Sequence, residues 1–199
     1  GVTLLELLNI IEGYDLSQYN WRGMGTDVAD YIHLLAMTMR AAQADRSQYI
    51  GDPAFIDVPT AMLISRDRAA QWRGRIDKGE RILVPKWPME APSTTHVSVV
   101  DSQGNAVSLT HTLGASSGVI TPGLGFMYNN AMVNFDPVPG HPNSIASGKS
   151  RLTQMSPTIV LKDECPYLVL GAPGGGKINS ALFQTILHMI DFDMPVFEA

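Results

Sequence analysis

The chain contains 199 residues, of which 45% are hydrophobic and 17% are charged. This is the composition of a globular protein with enough apolar material for one large domain. The net charge of −5 and the lack of any basic run argue against a nucleic-acid interface, since such interfaces need clustered lysine and arginine. The single cysteine, Cys165, allows neither an internal disulfide framework nor a cysteine-based zinc site.

The first residues, "GVTLLELLNIIEG", contain no methionine, no basic region and no small-residue cleavage site. They do not match a signal peptide, and no apolar run approaches the ~18 residues of a membrane span. We expect this sequence to be an internal piece of a longer protein whose targeting region lies elsewhere. The localisation therefore stays unknown, and periplasmic, extracellular and cytoplasmic locations all remain open.

The first part of the chain is predicted to be helical, because apolar residues recur there at helical spacing. The predicted helices cover residues 4–11, residues from 26 or 27 to about 45, and residues from 65 or 67 to about 77. Residues 78–94 contain three prolines and are predicted to form an exposed connector.

The pattern changes to β after Thr94. The segments "HVSVV" and "AVSLTHT" alternate with period two around a Gly-Asn turn, which predicts a β-hairpin. Two more apolar strands flank a polar turn in "TIVLKDECPYLVL", and a last helix is expected to be capped by Asn179 or Ser180. The pattern predicts an α+β fold, with helices packed on an antiparallel sheet.

The segment "GAPGGGKI", residues 171–178, has the G-x-x-x-x-G-K frame of a phosphate-binding loop. However, Ile178 stands where Mg²⁺ coordination uses serine or threonine, and the preceding strand reads as antiparallel. A plain glycine turn is favoured over nucleotide binding on this local evidence. A third interpretation is an oxyanion site, because consecutive glycine N–H groups at a helix start can bind developing negative charge.

The histidines suggest neither a nucleophile elbow nor a metal site. No G-x-S-x-G segment occurs, no H-x-x-x-H pair lies on a helix, and the histidines are scattered among unrelated turns and strands. A Ser-His-Asp triad assembled from distant residues stays open. No metal and no cofactor are predicted.

Thr94 is a different kind of candidate, because cleavage of the Ser93–Thr94 bond would make it an N-terminal residue. An N-terminal threonine carries a hydroxyl nucleophile and an α-amine, with a reference pKa of about 7.7–8.0, that can act as its base. Local sequence alone favours an ordinary loop threonine over this role.

The segments "STTHVSVVDSQGNAVSLTHT", "RLTQMSPTIVLKD" and "GAPGGGKI" resemble the gamma-glutamyltransferase family of N-terminal nucleophile (Ntn) hydrolases. Upstream, "LLELLNIIEGYDL" and "ADRSQYIGDPAF" are also similar to that family. The resemblance implies a four-layer αββα sandwich, of which this chain forms part. It makes residues 1–93 the C-terminal part of a large subunit and residues 94–199 the N-terminal part of a small catalytic subunit.

The resemblance also implies roles for individual residues. Thr94 would be the nucleophile, and Thr112 the second threonine that hydrogen-bonds near it. Gly174 and Gly175 would form the oxyanion hole. The family's arginine that holds the substrate's α-carboxylate belongs to an earlier segment, outside this sequence.

Several substrate-binding positions depart from the transferase pattern. Gly114 replaces an asparagine, Asn134 replaces the aspartate that binds the substrate's α-ammonium group, and Thr153 and Gln154 replace paired serines. An amide cannot supply the charge that an ammonium group requires. The expectation is retained amide-bond chemistry with weakened glutamyl recognition.

The sequence therefore predicts an autoprocessed proenzyme that cleaves a gamma-glutamyl or related acyl amide through an N-terminal threonine acyl-enzyme. The expected partners are a small-molecule amide substrate and the remaining segments of the same precursor. An acylase or small-amide hydrolase without glutamyl specificity is the first alternative. A catalytically inactive homologue and a nucleotide-binding protein are the others.

Overall fold

The computed structural model describes residues 1–19, 21, 26–84 and 93–199. The described helices are α1 Val2–Ile11, α2 Thr26–Tyr49, α3 Thr60–Leu63, α4 Arg66–Asp77 and α5 Ile178–Ile190. The described strands are β1 Thr94–Val100, β2 Ala106–Thr112, β3 Ser116–Ile120, β4 Met127–Asn129, β5 Thr158–Lys162 and β6 Cys165–Leu170. None of these helices is long and apolar enough to cross a membrane.

The chain divides into two compact units. One contains the described residues between 2 and 84 together with Phe183–Ala199, and the other contains Gly1 and the described residues from 93 to 182. Helix α5 therefore begins in the β-rich unit and ends in the helical unit. Most of the predicted connector, residues 85–92, lies outside the described residues.

The three predicted helices are confirmed as α1, α2 and α4. Helix α1 buries an apolar stripe, and Leu4, Leu7 and Ile10 are each at most 3% exposed, as expected of an amphipathic helix that faces a core. Helix α2 continues to Tyr49, four residues beyond its predicted end. Helix α4 starts after Ser65, whose hydroxyl accepts a hydrogen bond from the Arg68 N–H as an N-cap.

A buried polar cluster joins these helices. Asp45 on α2 accepts hydrogen bonds from the Arg68 Nε (2.7 Å) and the Trp72 Nε1 (2.8 Å) on α4. Glu6 on α1 is fully buried, and burial raises its pKa to about 10, with a further increase from the neighbouring Asp45 carboxylate. Burial alone would raise the pKa of Asp45 as well, but hydrogen bonds from Arg68 lower it below its ordinary value. The cluster thus contains one ion pair and one neutral carboxylic acid.

The β-rich unit contains three two-stranded antiparallel sheets in the described part of the chain, rather than one continuous sheet. The predicted hairpin is β1–β2, and Thr94 is directly opposite Thr112. The strand before the glycine loop, β6, is antiparallel to β5 as predicted. Serine side chains link the two hairpins: Ser98 on β1 donates to Val169 O (2.9 Å), and Ser108 on β2 donates to Leu170 O (2.9 Å).

The predicted cap of the last helix is wrong. A short 3-10 turn, Gly175–Lys177, leads directly into α5 at Ile178. Asn179 is buried in side-chain hydrogen bonds with residues more than twenty positions away, and the Ser180 hydroxyl donates back to Lys177 O (2.9 Å). Both residues lie inside α5, after its start at Ile178, so neither is its N-cap.

Candidate active site

The two threonines singled out in the sequence lie side by side. Thr94 is the first residue of β1 and Thr112 the last residue of β2, and they form the first register pair of the hairpin. The Thr94 Oγ1 donates a hydrogen bond to the Thr112 Oγ1 over 3.3 Å. Directly opposed residues of an antiparallel pair place their side chains on the same face of the sheet, so the register itself brings these hydroxyls together.

The Thr112 hydroxyl is a shared acceptor at the end of the hairpin. It also accepts from the Gly114 N–H (3.0 Å) and lies 3.3 Å from the Ser93 Oγ, which donates to Gly114 O. Gly114 has a φ of +75°, and a Cβ there would lie 3.2 Å from the Ala131 Cα. Gly114 thus hydrogen-bonds to Thr112 and Ser93 through its backbone. Its positive φ and the nearby Ala131 backbone both disfavour a side chain at this position.

The glycine loop after β6 contains two consecutive backbone amides without a hydrogen-bond partner among the described residues. Gly174 and Gly175 have φ values of +133° and +56°, which are accessible to glycine without strain. Neither N–H has a hydrogen-bond partner among the described residues, whereas the Lys177 N–H donates to Gly174 O (3.1 Å). Two unpaired amides before a helix start form the kind of donor pair that binds an oxyanion.

His96 connects β1 to the start of this loop. Its Nδ1 is 2.7 Å from the Thr110 Oγ1, and its Nε2 is 3.0 Å from the Ser98 Oγ. The ring occupies the space beside Gly171, where a Cβ would overlap the imidazole. Local sequence assigns His96 no more than a structural role, because its contact with Gly171 joins residues far apart in the chain.

Thr153 and Gln154, which are expected to replace paired serines, differ in their surroundings. The buried Gln154 Oε1 accepts a hydrogen bond from the Asn179 Nδ2 (2.7 Å), and the Asn179 Oδ1 accepts one from the Ser156 Oγ (2.7 Å). Thr153 is exposed, and its hydroxyl accepts from the Met155 N–H (3.1 Å). Gln154 therefore supports the start of α5, while Thr153 faces solvent.

Asn134 is buried with one amide hydrogen-bonding group unused. The residue is 4% exposed, and its Nδ2 has no hydrogen-bond partner among the described residues. Its backbone oxygen accepts from the Asn143 Nδ2 (2.6 Å), which holds the segment in place. An unpaired buried donor is costly, and the described residues offer this one no acceptor.

A cavity of about 430 Å³ adjoins the threonine pair. Its volume falls within the ~300–1,000 Å³ that is typical of small-molecule sites. Its described lining residues are Thr112, Asn129, Ala131, Met132, Phe135, Lys149, Ser150 and Arg151. We call it the basic cavity, because it contains two cationic side chains and no described acidic one. Sequence reasoning missed Lys149 and Arg151, although both flank Ser150 just before the "MSP" segment.

Neither a metal site nor a nucleotide site is supported by the described residues. No group of three or more histidine, cysteine, aspartate or glutamate side chains among them could hold a metal ion. The glycine loop follows an antiparallel strand, and Ile178 after Lys177 is fully buried. A phosphate-binding loop instead needs a parallel βαβ setting and a hydroxyl ligand for Mg²⁺.

The whole chain, residues 1–199, matches the gamma-glutamyltranspeptidase family model. A glutathione hydrolase proenzyme of a Pseudomonas species is 38% identical over 216 residues, covering 100% of this chain and 37% of the relative. An acylase ACY 1 proenzyme of another Pseudomonas strain is 39% identical over 206 residues, covering 100% of this chain and 36% of the relative. The chain thus spans little more than a third of these relatives.

The structure of cephalosporin acylase from Bacillus halodurans is similar to the entire chain, with a TM-score of 0.79 and 25% identity, and the match covers 36% of that protein. The predicted α+β, Ntn-hydrolase fold class is therefore confirmed. Since the family match extends over all 199 residues and the relatives exceed 30% identity, the chain belongs to the gamma-glutamyltranspeptidase family of enzymes.

Proposed function

We propose that this chain contains the cleavage site and nucleophile of a proenzyme that hydrolyses amides through an acyl-enzyme on Thr94. The observation that carries the proposal is the 3.3 Å hydrogen bond from the Thr94 hydroxyl to the Thr112 hydroxyl at the open end of the β1–β2 hairpin. Residues 1–93 would end the large subunit and residues 94–199 would begin the small one. The rest of the precursor would complete both subunits.

Maturation would begin when the Thr94 Oγ1 attacks the Ser93 carbonyl carbon. The C–N bond of the Ser93–Thr94 peptide breaks as the C–O bond forms, and the nitrogen takes a proton to become the Thr94 α-amine. Water then hydrolyses the resulting ester, leaving a carboxylate on Ser93 and a free hydroxyl on Thr94. The Thr112 hydroxyl, 3.3 Å from both the Thr94 Oγ1 and the Ser93 Oγ, is placed to orient the attacking group.

Amide hydrolysis would repeat this chemistry on a small-molecule substrate. The Thr94 α-amine removes the hydroxyl proton as Oγ1 attacks the amide carbonyl, and then donates a proton to the departing amine. The unpaired N–H groups of Gly174 and Gly175 would hold the oxyanion. Water attacks the acyl ester, which releases the carboxylic acid and restores the hydroxyl.

An acylase without glutamyl specificity is favoured over a true transferase by the neutral side chain of Asn134. Its Oδ1 can accept a hydrogen bond from an ammonium group, but the amide lacks the negative charge that would form an ion pair with that group. An acyl group without an α-ammonium group needs no such ion pair and is therefore preferred. Gamma-glutamyl hydrolysis remains a measurable second activity in this proposal.

The test is mass spectrometry of the full-length protein together with its Thr94→Ala variant. We expect the unmodified protein to yield a fragment that begins at Thr94 and the variant to stay uncut, with amidase activity reduced at least about a thousandfold. Thr95→Ala is a matched control, because the Thr95 side chain is exposed on the adjacent position and should leave cleavage intact. Amidase activity that survives Thr94→Ala contradicts the mechanism and favours another nucleophile.

A further inference from the structure

Ser93, the residue before the proposed cut, is attached to the end of the β1–β2 hairpin by its side chain. The Ser93 hydroxyl donates to Gly114 O and lies 3.3 Å from the Thr112 Oγ1. The Thr94 Oγ1 is also 3.3 Å from the Thr112 Oγ1. Both residues of the bond to be cut therefore place a hydroxyl on the same threonine.

The direction of each hydrogen bond follows from the donors that are present. A carbonyl oxygen only accepts, so the single hydrogen of the Ser93 hydroxyl is used on Gly114 O and is not available to Thr112. The two lone pairs of the Thr112 Oγ1 accept from the Gly114 N–H over 3.0 Å and from the Thr94 hydroxyl over 3.3 Å. The Thr112 hydrogen is then donated to the Ser93 Oγ. We call this series the hydroxyl chain, which consists, in the order of donation, of Thr94, Thr112, Ser93 and Gly114 O.

The hydroxyl chain sets the orientation of the Thr94 hydroxyl. Hydrogen bonds in series polarise one another, so a Thr112 hydroxyl that donates to Ser93 is a better acceptor for the Thr94 hydrogen. No described group donates to the Thr94 Oγ1. Its lone pairs are therefore left for the attack on the Ser93 carbonyl carbon.

The hydroxyl chain orients the nucleophile and does not remove its proton. It ends on a peptide carbonyl oxygen, which accepts hydrogen bonds but is too weak a base to take up a proton. In the proposed maturation, the proton of the Thr94 hydroxyl passes to the Thr94 nitrogen as the C–O bond forms and the C–N bond breaks. The reaction is thus balanced without a further group.

The Ser93 hydroxyl can serve this purpose only before the cut. The Thr94 Oγ1 attacks the Ser93 carbonyl first and the substrate carbonyl afterwards, so the Ser93 carbonyl has to leave its place before a substrate enters. Ser93 is exposed, and the register pairs of the hairpin begin one residue later, at Thr94. Once the peptide bond is broken, no strand pairing holds Ser93 beside the nucleophile.

We propose that Ser93 is a positioning residue for self-cleavage, whose hydroxyl aligns Thr112 and through it Thr94, and that it has no part in the turnover of the mature enzyme. This inference rests on the proposed function, because it assumes the cut before Thr94. The residue that is cut off thus carries a group that speeds its own release.

The test compares Ser93→Thr with Ser93→Val in the full-length protein. Threonine and valine have the same shape, so the two variants differ in the hydroxyl alone. We expect the fragment that begins at Thr94 to appear about threefold to tenfold faster in the threonine variant, as the loss of one hydrogen bond predicts. A gel time course with mass spectrometry of the products measures the rate. Thr95→Val is the control, since it removes an exposed neighbouring hydroxyl outside the hydroxyl chain and should cleave at the unmodified rate.

Turnover after complete maturation separates positioning from a general effect on the fold. The kcat and KM for gamma-glutamyl and glutaryl p-nitroanilide are measured per cleaved chain. We expect the threonine and valine variants at residue 93 to agree within about twofold, although they mature at different rates. A kcat that falls in the valine variant as far as its cleavage rate contradicts a role confined to the precursor.

The cleavage comparison decides the role of Ser93 whether or not either anilide is a substrate. Equal cleavage rates of the threonine and valine variants, in a protein that does cut before Thr94, overturn this inference and leave the proposed function standing. If the unmodified full-length protein yields no fragment that begins at Thr94, the proposed function and the role of Ser93 are both rejected.

Discussion

Gly171 lies directly against the imidazole of His96, with no room for a side chain between them. Because the Ser98 hydroxyl donates its hydrogen to Val169 O, it accepts from the His96 Nε2–H. The Nδ1 lies 2.7 Å from the Thr110 Oγ1, so both ring nitrogens are held by hydroxyl groups. The ring lies two residues after Thr94, and the glycine loop packs on it at Gly171.

Gly171→Ala should destabilise the protein and reduce activity, because the added methyl displaces a ring held on both nitrogens. We expect a loss of about 1–3 kcal/mol in the free energy of unfolding, as for other overpacked sites, and a lower kcat if the loop shifts. Thermal unfolding and steady-state kinetics measure these effects. Gly176→Ala is the control, since a Cβ at Gly176 meets no atom within 4 Å. Equal losses in the two variants would contradict the role of the imidazole.

Thr112→Val should slow maturation while preserving the shape of the side chain. The substitution removes the oxygen that accepts from the Thr94 Oγ1 (3.3 Å) and from the Gly114 N–H (3.0 Å). We expect cleavage before Thr94 to slow by about tenfold or more, since one lost hydrogen bond corresponds to roughly 0.5–1.5 kcal/mol and a buried unpaired group costs more. A gel time course measures the rate. Thr112→Ser keeps the hydroxyl and should cleave faster than the valine variant; identical rates would exclude a role for the oxygen.

Asn134→Asp should shift substrate preference toward gamma-glutamyl amides. A carboxylate at this buried position can pair with an α-ammonium group, whereas the present amide cannot. We expect the ratio of kcat/KM for gamma-glutamyl over glutaryl p-nitroanilide to rise about tenfold. The free enzyme should unfold at a lower temperature, because the new charge is buried without a partner. An unchanged ratio in a folded variant would show that residue 134 does not contact the acyl group.

Glu6→Gln should remove a pH dependence of stability in the helical unit. The Glu6 pKa is raised to about 10, so the unfolded chain releases this proton above about pH 4.5 while the folded chain retains it. The stabilisation present below about pH 4.5 is therefore lost progressively between pH 4.5 and 10, by at most about 1.4 kcal/mol per pH unit. Urea unfolding at several pH values measures the slope, which should be smaller in the glutamine variant. Equal slopes would mean that Glu6 is ionised in the fold.

Local patterns predicted the elements that depend on local interactions. The alternation in β1 and β2 and the turn between them specified the hairpin, and helix α4 begins after Ser65, one of its two predicted starts. Asn179 was misassigned because its capping preference is outweighed by hydrogen bonds to Gln154 and Ser156. Such partners come from distant segments, which a local pattern does not contain.

The candidate site was likewise predicted only in part. The resemblance to the gamma-glutamyltransferase family identified Thr94 and Thr112 as candidates, and the hairpin register brings them together. The contact between Gly171 and His96 joins residues 75 positions apart, so no spacing rule points to it. The basic cavity depends on the return of the chain from Ala131 to Arg151 beside Thr112, which only the folded structure reveals.

The position of Thr94 at the start of β1 determines how much of the structure cleavage before it would disturb. A cut at the Ser93–Thr94 bond leaves untouched all seven register pairs between Thr94–Thr112 and Val100–Ala106. The new N-terminus would therefore already be paired with β2 when it forms, and would not have to dock onto the sheet afterwards. In the proposed maturation, precursor and mature enzyme would share one geometry here, and cleavage of the Ser93–Thr94 peptide would need no refolding of β1.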